Sequence, residues 1–212
     1  MHRIAGLLLF STFLFVSCDG LEPVVETDED GTRHEFTVDP KTKLRQGELR
    51  EYFPDGELMA EANYRDGELQ GQRKLYDEAG NPVVLENYDQ GILSGAYTSY
   101  VGDGKPSLRG TYVDGAMNGI WTGYYPDGKI REVVNFNDNH ENGPFREWYP
   151  DGQPKASGNY RDGDNEDGIL HLYAEDGALE KVMSCDLGAC RTIWTADSTT
   201  AAPPGVDMQL PE

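Results

Sequence analysis

The sequence predicts an all-β protein, an elongated single-layer antiparallel meander of about six β-hairpin repeats. Three observations predict it. Gly47, Gly71, Gly95, Gly119 and Gly143 stand at steps of 24 and Gly168 follows at 25, and a fixed period of this length marks a repeat architecture. An aromatic-Pro-Asp-Gly phrase returns as EYFPDGE from Glu51, GYYPDGK from Gly123 and EWYPDGQ from Glu147. The composition is lean for a thick core: 37% of the 212 residues are hydrophobic and 25 are glycine, with a mean hydropathy of -0.64.

Residues 1–17 read as an export signal, with a short basic start, MHR, an apolar run too short to span a bilayer comfortably, and SC at its end. No Ala-x-Ala cleavage site is present, and FVSC, with Ser17 before Cys18, resembles the lipobox of bacterial lipoproteins. On that resemblance Cys18 receives the lipid, and acyl chains alone anchor the protein in a bacterial cell envelope, periplasmic or surface-exposed. An ordinary secretory signal with an incidental cysteine, or a short uncleaved anchor, are the other readings. Residues 18–46 open as an acidic tether, and Thr32 to Leu44 fit a degenerate half-unit covering the first sheet edge.

Six units follow: 47–70, 71–94, 95–118, 119–142, 143–167 and 168–185. A ring at Tyr52, Tyr76, Tyr100, Tyr124, Trp148 or Tyr173 precedes a second glycine, Gly56, Gly80, Gly104, Gly128, Gly152 or Gly177. In the recurring phrase Pro takes the second turn position, Asp the third, and Gly the positive φ that closes a three-residue hairpin loop with a bulge. A second ring, Tyr64, Tyr88, Tyr112, Phe136 or Tyr160, precedes a second turn such as Asp66-Gly67 or Asp114-Gly115. The segments between are of strand length. In ELMAEANY, Leu58, Ala60, Ala62 and Tyr64 alternate with Glu57, Met59, Glu61 and Asn63, which gives one covered face. KIREVVNF departs from that rule at Glu132 and Val133, and NGIWTGYY carries rings on both parities, so its buried face stays unassigned. A lone hairpin is marginal, so each unit must lean on its neighbours. Twelve strands at ~4.8 Å spacing make a sheet of roughly 55 Å. Each unit-opening glycine is expected to let a neighbouring ring lie across bare backbone.

The pattern Gly-x4-aromatic-x-Pro-Asp-Gly-x7-Tyr-x-Asp-Gly-x3-Gly resembles the variant MORN repeat, best in GIWTGYYPDGKIREVVNF, and the resemblance runs from Gly47 to about Cys185. It implies a single-layer hairpin array that binds or scaffolds. Many bacterial relatives carry an antitoxin label, which supplies the alternative: an antitoxin-like or immunity protein neutralising a toxin.

Charge narrows the partners. Removing residues 1–17 takes away Arg3 and leaves 17 basic against 38 acidic residues, a net of -21. Such a surface repels nucleic acid and anionic headgroups, so the membrane is reached only through the N-terminal lipid. The partner expected is a protein or a glycan of the envelope. No GxSxG, phosphate loop or paired nucleophile and histidine occurs, and most Asp-Gly aspartates have a turn to make, so a non-catalytic protein without cofactor is expected. An envelope hydrolase is a remote alternative, because paired carboxylates are defined in space and not in sequence.

Three groups are candidate sites. Trp121, Tyr125, Trp148 and Tyr149 are possible partner-binding rings, with packing between hairpins as the competing reading. Asp162, Asp164, Glu166 and Asp167 in RDGDNEDG crowd hard oxygens as calcium requires, but Asp167 stands where an EF-hand needs Gly and Tyr173 where it needs Glu; a solvated acidic loop is the competing reading. Cys185 and Cys190 in CDLGAC form a disulfide in an oxidising compartment, or remain two thiols. Residues 186–212 read as a C-terminal cap and a disordered tail.

Overall fold

The computed structural model describes residues 20–203 and residue 208. Cys18 and residues 1–17 lie outside the described residues. Strands β1 (Glu22–Thr27) and β2 (Arg33–Val38) precede the first unit, which is β3 (Arg45–Tyr52) and β4 (Leu58–Arg65). Strand β5 (Glu68–Leu69) ends the first unit, β6 (Gly71–Tyr76) and β7 (Pro82–Asp89) form the second, which β8 (Ile92–Leu93) ends, and β9 (Gly95–Val101) and β10 (Lys105–Val113) form the third. The fourth is β11 (Ala116–Tyr124) and β12 (Ile130–Asn137), the fifth β13 (His140–Trp148) and β14 (Pro154–Tyr160), and the sixth β15 (Gly168–Tyr173) and β16 (Leu179–Asp186). Strand β17 (Ala189–Thr195) closes the array.

These seventeen strands form one antiparallel sheet in which successive strands pair, except that β4 pairs with both β5 and β6 and β7 with both β8 and β9, so the protein is an open meander of hairpins. The excess over twelve has a plain origin. Strands β5 and β8 are two-residue starts of β6 and β9, split from them at Gln70 and Ser94, and β1, β2 and β17 extend the sheet at its ends. At the first edge, Glu22 to Thr27 pair with Arg33 to Val38, so part of the stretch read as a tether is edge strand, with Pro23 in it. Beyond β17, the Ala196 amide donates to the Glu180 carbonyl at 2.9 Å and the Trp194 indole to the Thr200 carbonyl at 3.1 Å, so the chain is tied back as far as Thr200.

The repeated phrase makes the turn that its residues imply. In GYYPDGK the Tyr125 carbonyl accepts the Gly128 amide at 2.8 Å, Gly128 has φ 91°, and the Asp127 carboxylate accepts the Lys129 amide at 3.0 Å. The ladder shifts register at Gly123/Tyr124. The aspartates Asp55, Asp151 and Asp176 are likewise occupied by their own loops. A β-branched side chain resists positive φ, so Gly128→Val is expected to cost about 1–2 kcal/mol; a melting temperature equal to the parent's would contradict the turn.

The other edge of the strip is stitched unit to unit. Asp66-Gly67, Gln90-Gly91, Asp114-Gly115 and Asp138-Asn139 have both residues at positive φ, the two-residue hairpin form that matches strand twist. The second amide of each turn donates to the preceding unit: Gly67 to the Arg45 carbonyl, Gly91 to Leu69, Gly115 to Leu93 and Asn139 to Met117, at 2.8–3.1 Å. The extra residue of the fifth unit is absorbed in its loop, where the Arg161 amide donates to the Asn165 carbonyl at 2.9 Å while Gly163 still reaches Glu141 at 3.2 Å.

Each face of the sheet carries its own ladder. On the ringed face the cross-strand pairs are Leu49–Ala62, Arg73–Glu86, Tyr97–Gly110, Trp121–Val134, Phe145–Gly158 and Leu170–Met183. Ala60 and Ala62 are buried on this face, as the alternation in ELMAEANY predicts. On the opposite face Val133, Arg146, Ser157, His171 and Val182 stand in successive register, and all but Arg146 are buried. Both faces of the C-terminal half are therefore covered, which is why KIREVVNF does not alternate cleanly.

The unit-opening glycines need a different explanation from the one expected. Register does set Gly71 opposite Tyr88 and Gly119 opposite Phe136, but a Cβ built on Gly71, Gly119 or Gly168 would meet nothing within 4 Å. Their φ values of 79°, 70° and 82° are the constraint. Rings cover glycine elsewhere: a Cβ on Gly110 would lie 2.1 Å from the Trp121 ring and one on Gly158 2.9 Å from the Phe145 ring.

The N-terminal hairpin is clamped by His34, whose Nε2 lies 2.9 Å from Asp28 and Nδ1 3.0 Å from Glu51. Burial alone disfavours the charged ring, but hydrogen bonds and charge from Asp28 and Glu51 outweigh it and raise the pKa. A raised folded pKa gives stability that is fully present below the unfolded value of about 6.5 and is lost as pH rises through the folded value. Amide exchange of β1 and β2 is therefore expected to be faster, relative to the intrinsic rate, at pH 8 than at pH 6. His34→Gln should remove that difference.

Candidate functional site

The site is a groove of about 310 Å³ on the ringed face of β13 to β16, floored by Phe145, Tyr160, Leu170 and Leu172 and flanked by Glu147 and Glu166. Period-two geometry puts Phe145 and Glu147 on the same face of β13, and register sets Glu147 opposite Ala156 and Ala156 opposite Leu172. The small Ala156 leaves the depression. Phe145 and Tyr160 stack at 4.2 Å between centroids with planes 20° apart, and both belong to the apolar cluster of Val134, Phe145, Ala156, Leu170 and Cys185 or pack on it.

The rim is acidic beyond its local need. Glu132 stands directly across from Glu147, and like charges in that relation destabilise a sheet. Arg131 pairs with Glu132, and Lys155 reaches Glu147 at 2.7 Å. Among the described residues no salt bridge reaches Glu141 or Glu166. Burial first, then the charges of Asp164, Glu132 and Glu147, push the Glu141 carboxyl above its ordinary range. Burial, then Glu141, Glu147, Glu166 and Glu132, push the Tyr160 phenol well up, so it stays protonated and can donate.

The expected site residues fall in different places. Trp121 and Trp148 are buried, at 1% and 8% exposure, so neither offers a ring face to a partner. Trp121 lies among Tyr97, Tyr112 and Phe136, with centroids 5.7, 5.1 and 6.2 Å away. Tyr125 and Tyr149 are half-buried, and their hydroxyls donate to the Trp148 and Tyr173 carbonyls of the next unit at 2.8 and 2.9 Å. These four rings join hairpins, which is the packing alternative. In the acidic loop, Asp167 faces Arg161 at 3.2 Å, and among the described residues no three His, Cys, Asp or Glu side chains gather as a metal site. Cys185 and Cys190, opposite each other in β16 and β17, are joined in a disulfide at the terminal edge. Sequence reasoning missed Phe145, Tyr160, Glu147 and Glu166 as one site. The available signal was Glu132, whose breach of alternation put an acid on the ringed face.

The fold defines an open, one-layer protein of hairpin repeats. Three segments, residues 45–66, 117–138 and 141–162, match the MORN repeat variant family. No curated protein matches the chain. Among solved structures it is similar to one described as "Crystal structure of GtfA/B complex bound to UDP and GlcNAc", at 18% identity over 63% of this chain and 24% of that one. The TM-score is 0.22, too low to carry fold or function across.

Proposed function

We propose that the chain is a non-catalytic binding or scaffold protein of a bacterial cell envelope, anchored by a lipid on Cys18 and presenting the ringed face of its sheet to a protein or glycan partner. MORN-variant repeats favour a repeat-based binding role. The observation that carries the reading is the groove over β13 to β16, where half-buried Tyr160 and Leu172 lie beside Glu147 and Glu166 on a one-layer sheet. Turn aspartates occupied by backbone amides support a non-catalytic role, since those carboxylates are not free for chemistry.

The test has two arms. Cys18→Ser is expected to move the protein from the membrane to the soluble fraction; unchanged membrane association would remove the anchor. Crosslinking in the native envelope, followed by purification of the full chain, is expected to recover a discrete partner through the ringed face. Recovery of a toxin would move the assignment to the immunity reading, and turnover of an envelope glycan that is lost on single acid substitutions would move it to a hydrolase.

A further inference from the structure

We propose that the face opposite the rings, over β12 to β16, is the docking surface of the chain's own C-terminal segment, residues 204–212, laid across it as a strap. The first observation is burial without a second layer. All the strands belong to one sheet, yet on that face Val133, Ser157, His171 and Val182 are 6%, 1%, 4% and 0% exposed. A side chain as long as histidine, standing up from a one-layer sheet, keeps its tip in water unless something lies over it. The repeats supply their own control. The equivalent pairs of the first two units are Arg50–Glu61 and Lys74–Leu85, and none of those four side chains is buried. In the third unit a short Thr98 is buried beside an exposed Arg109.

Path and chemistry select the occupant. The chain stays on the sheet as far as Thr200, and Trp194 stands across from Val182 on this face. Met208 is itself half-buried, so protein lies against it. The eight residues from Thr200 to Met208 reach about 26–29 Å when extended, enough to cross from β17 to β12 at about 4.8 Å per strand. In VDMQLPE, Val206, Met208, Leu210 and Glu212 alternate with Asp207 and Gln209, so an extended strap turns the first series to one side. The row beneath reads Val133, Arg146, Ser157, His171, Val182 and Trp194, two bases and no acid. Its apolar members suit Val206, Met208 and Leu210, and Arg146, toward the far end from β17, suits Glu212. The Ser157 hydroxyl is enclosed with no hydrogen bond among the described residues, a penalty that a carbonyl of the strap removes.

The test has a photochemical and a binding arm. In the full chain, Met208→p-benzoylphenylalanine, irradiated when dilute, is expected to crosslink within the chain to the strands that carry Ser157, His171 and Val182, as located by mass spectrometry. Adducts confined to ringed-face residues such as Leu172, adducts only between chains, or none would overturn the proposal. In the second arm a labelled peptide of residues 203–212 is titrated against the full chain and against a chain lacking residues 204–212. The shortened chain should bind it roughly tenfold more tightly or better, because in the full chain a tethered copy competes at high effective concentration, and should melt about 2–4 °C lower or more. Glu212→Gln in the peptide and Arg146→Gln in the shortened chain should each weaken binding, and together by less than the sum of their effects. Equal binding to the two chains, or equal binding of a peptide with its alternation scrambled, would overturn the proposal. Should the shortened chain not melt cooperatively, the photochemical arm decides. Neither arm bears on the envelope-binding reading, which concerns the ringed face.

Discussion

Gly110→Ala is expected to destabilise the protein by about 3 kcal/mol or more, the upper range for overpacking a filled site. The added Cβ would sit 2.1, 2.3 and 2.6 Å from three carbons of the Trp121 ring. The indole cannot swing aside, because Trp121 is 1% exposed and Tyr97, Tyr112 and Phe136 close around it. Gly110 is not at positive φ, so the cost is steric. Two controls separate this from backbone strain. Trp121→Leu alone loses ring contacts at a cost approaching the roughly 3–5 kcal/mol of a Trp→Ala change, but combined with Gly110→Ala it should cost less than the sum by about 1–2 kcal/mol. Gly119, at φ 70° with open space around its Cβ position, should accept Asn better than Ala, since Asn tolerates the left-handed region. At Gly110 Asn should be no better than Ala. Urea titration of the six variants is the measurement, and strictly additive costs for Gly110→Ala and Trp121→Leu would refute the contact.

The same pair shows what a sequence can and cannot disclose here. Period, turn and strand were legible because they depend on neighbours in sequence: Pro-Asp-Gly sets its own φ values, and two eight-residue segments between turns can only pair as a hairpin. Gly110 stands outside the 24-residue glycine series, and its reason is a ring eleven residues away on the next strand. The groove was hidden for a like cause. Glu132 and Glu147 are fifteen residues apart and face each other only because the ladder shifts register between Val134 and Phe136. Trp121 and Trp148 are not the exposed rings expected of a one-layer sheet, because Tyr97, Tyr112 and Phe136 pack around Trp121 and the Tyr125 hydroxyl reaches the Trp148 carbonyl of the next unit.

Unit two carries the second large effect. Its place in the ladder, filled by Leu49 and Ala62 before it and by Tyr97 and Gly110 after it, is taken by Arg73 and Glu86 at 3.5 Å, with exposures of 31% and 14%. The Tyr88 hydroxyl also donates to Glu86 at 2.9 Å. Arg73→Leu removes the cation and leaves an enclosed carboxylate, expected to cost about 1–3 kcal/mol. Replacing both, Arg73→Leu with Glu86→Ala, reproduces the pair of unit one, and exchange of an enclosed ion pair for well-packed apolar residues is often neutral or stabilising by about 1–4 kcal/mol. The double variant should therefore melt at or above the parent while the single melts below it. A double variant as unstable as Arg73→Leu would show that the pair packs something apolar side chains cannot. If the double is the more stable, the ion pair is not there to hold the array together. It then marks a polar step on the ringed face, between the apolar cluster of Phe36, Leu49 and Ala62 and that of Val134, Phe145 and Leu170, kept at a cost in stability for the sake of what that face meets.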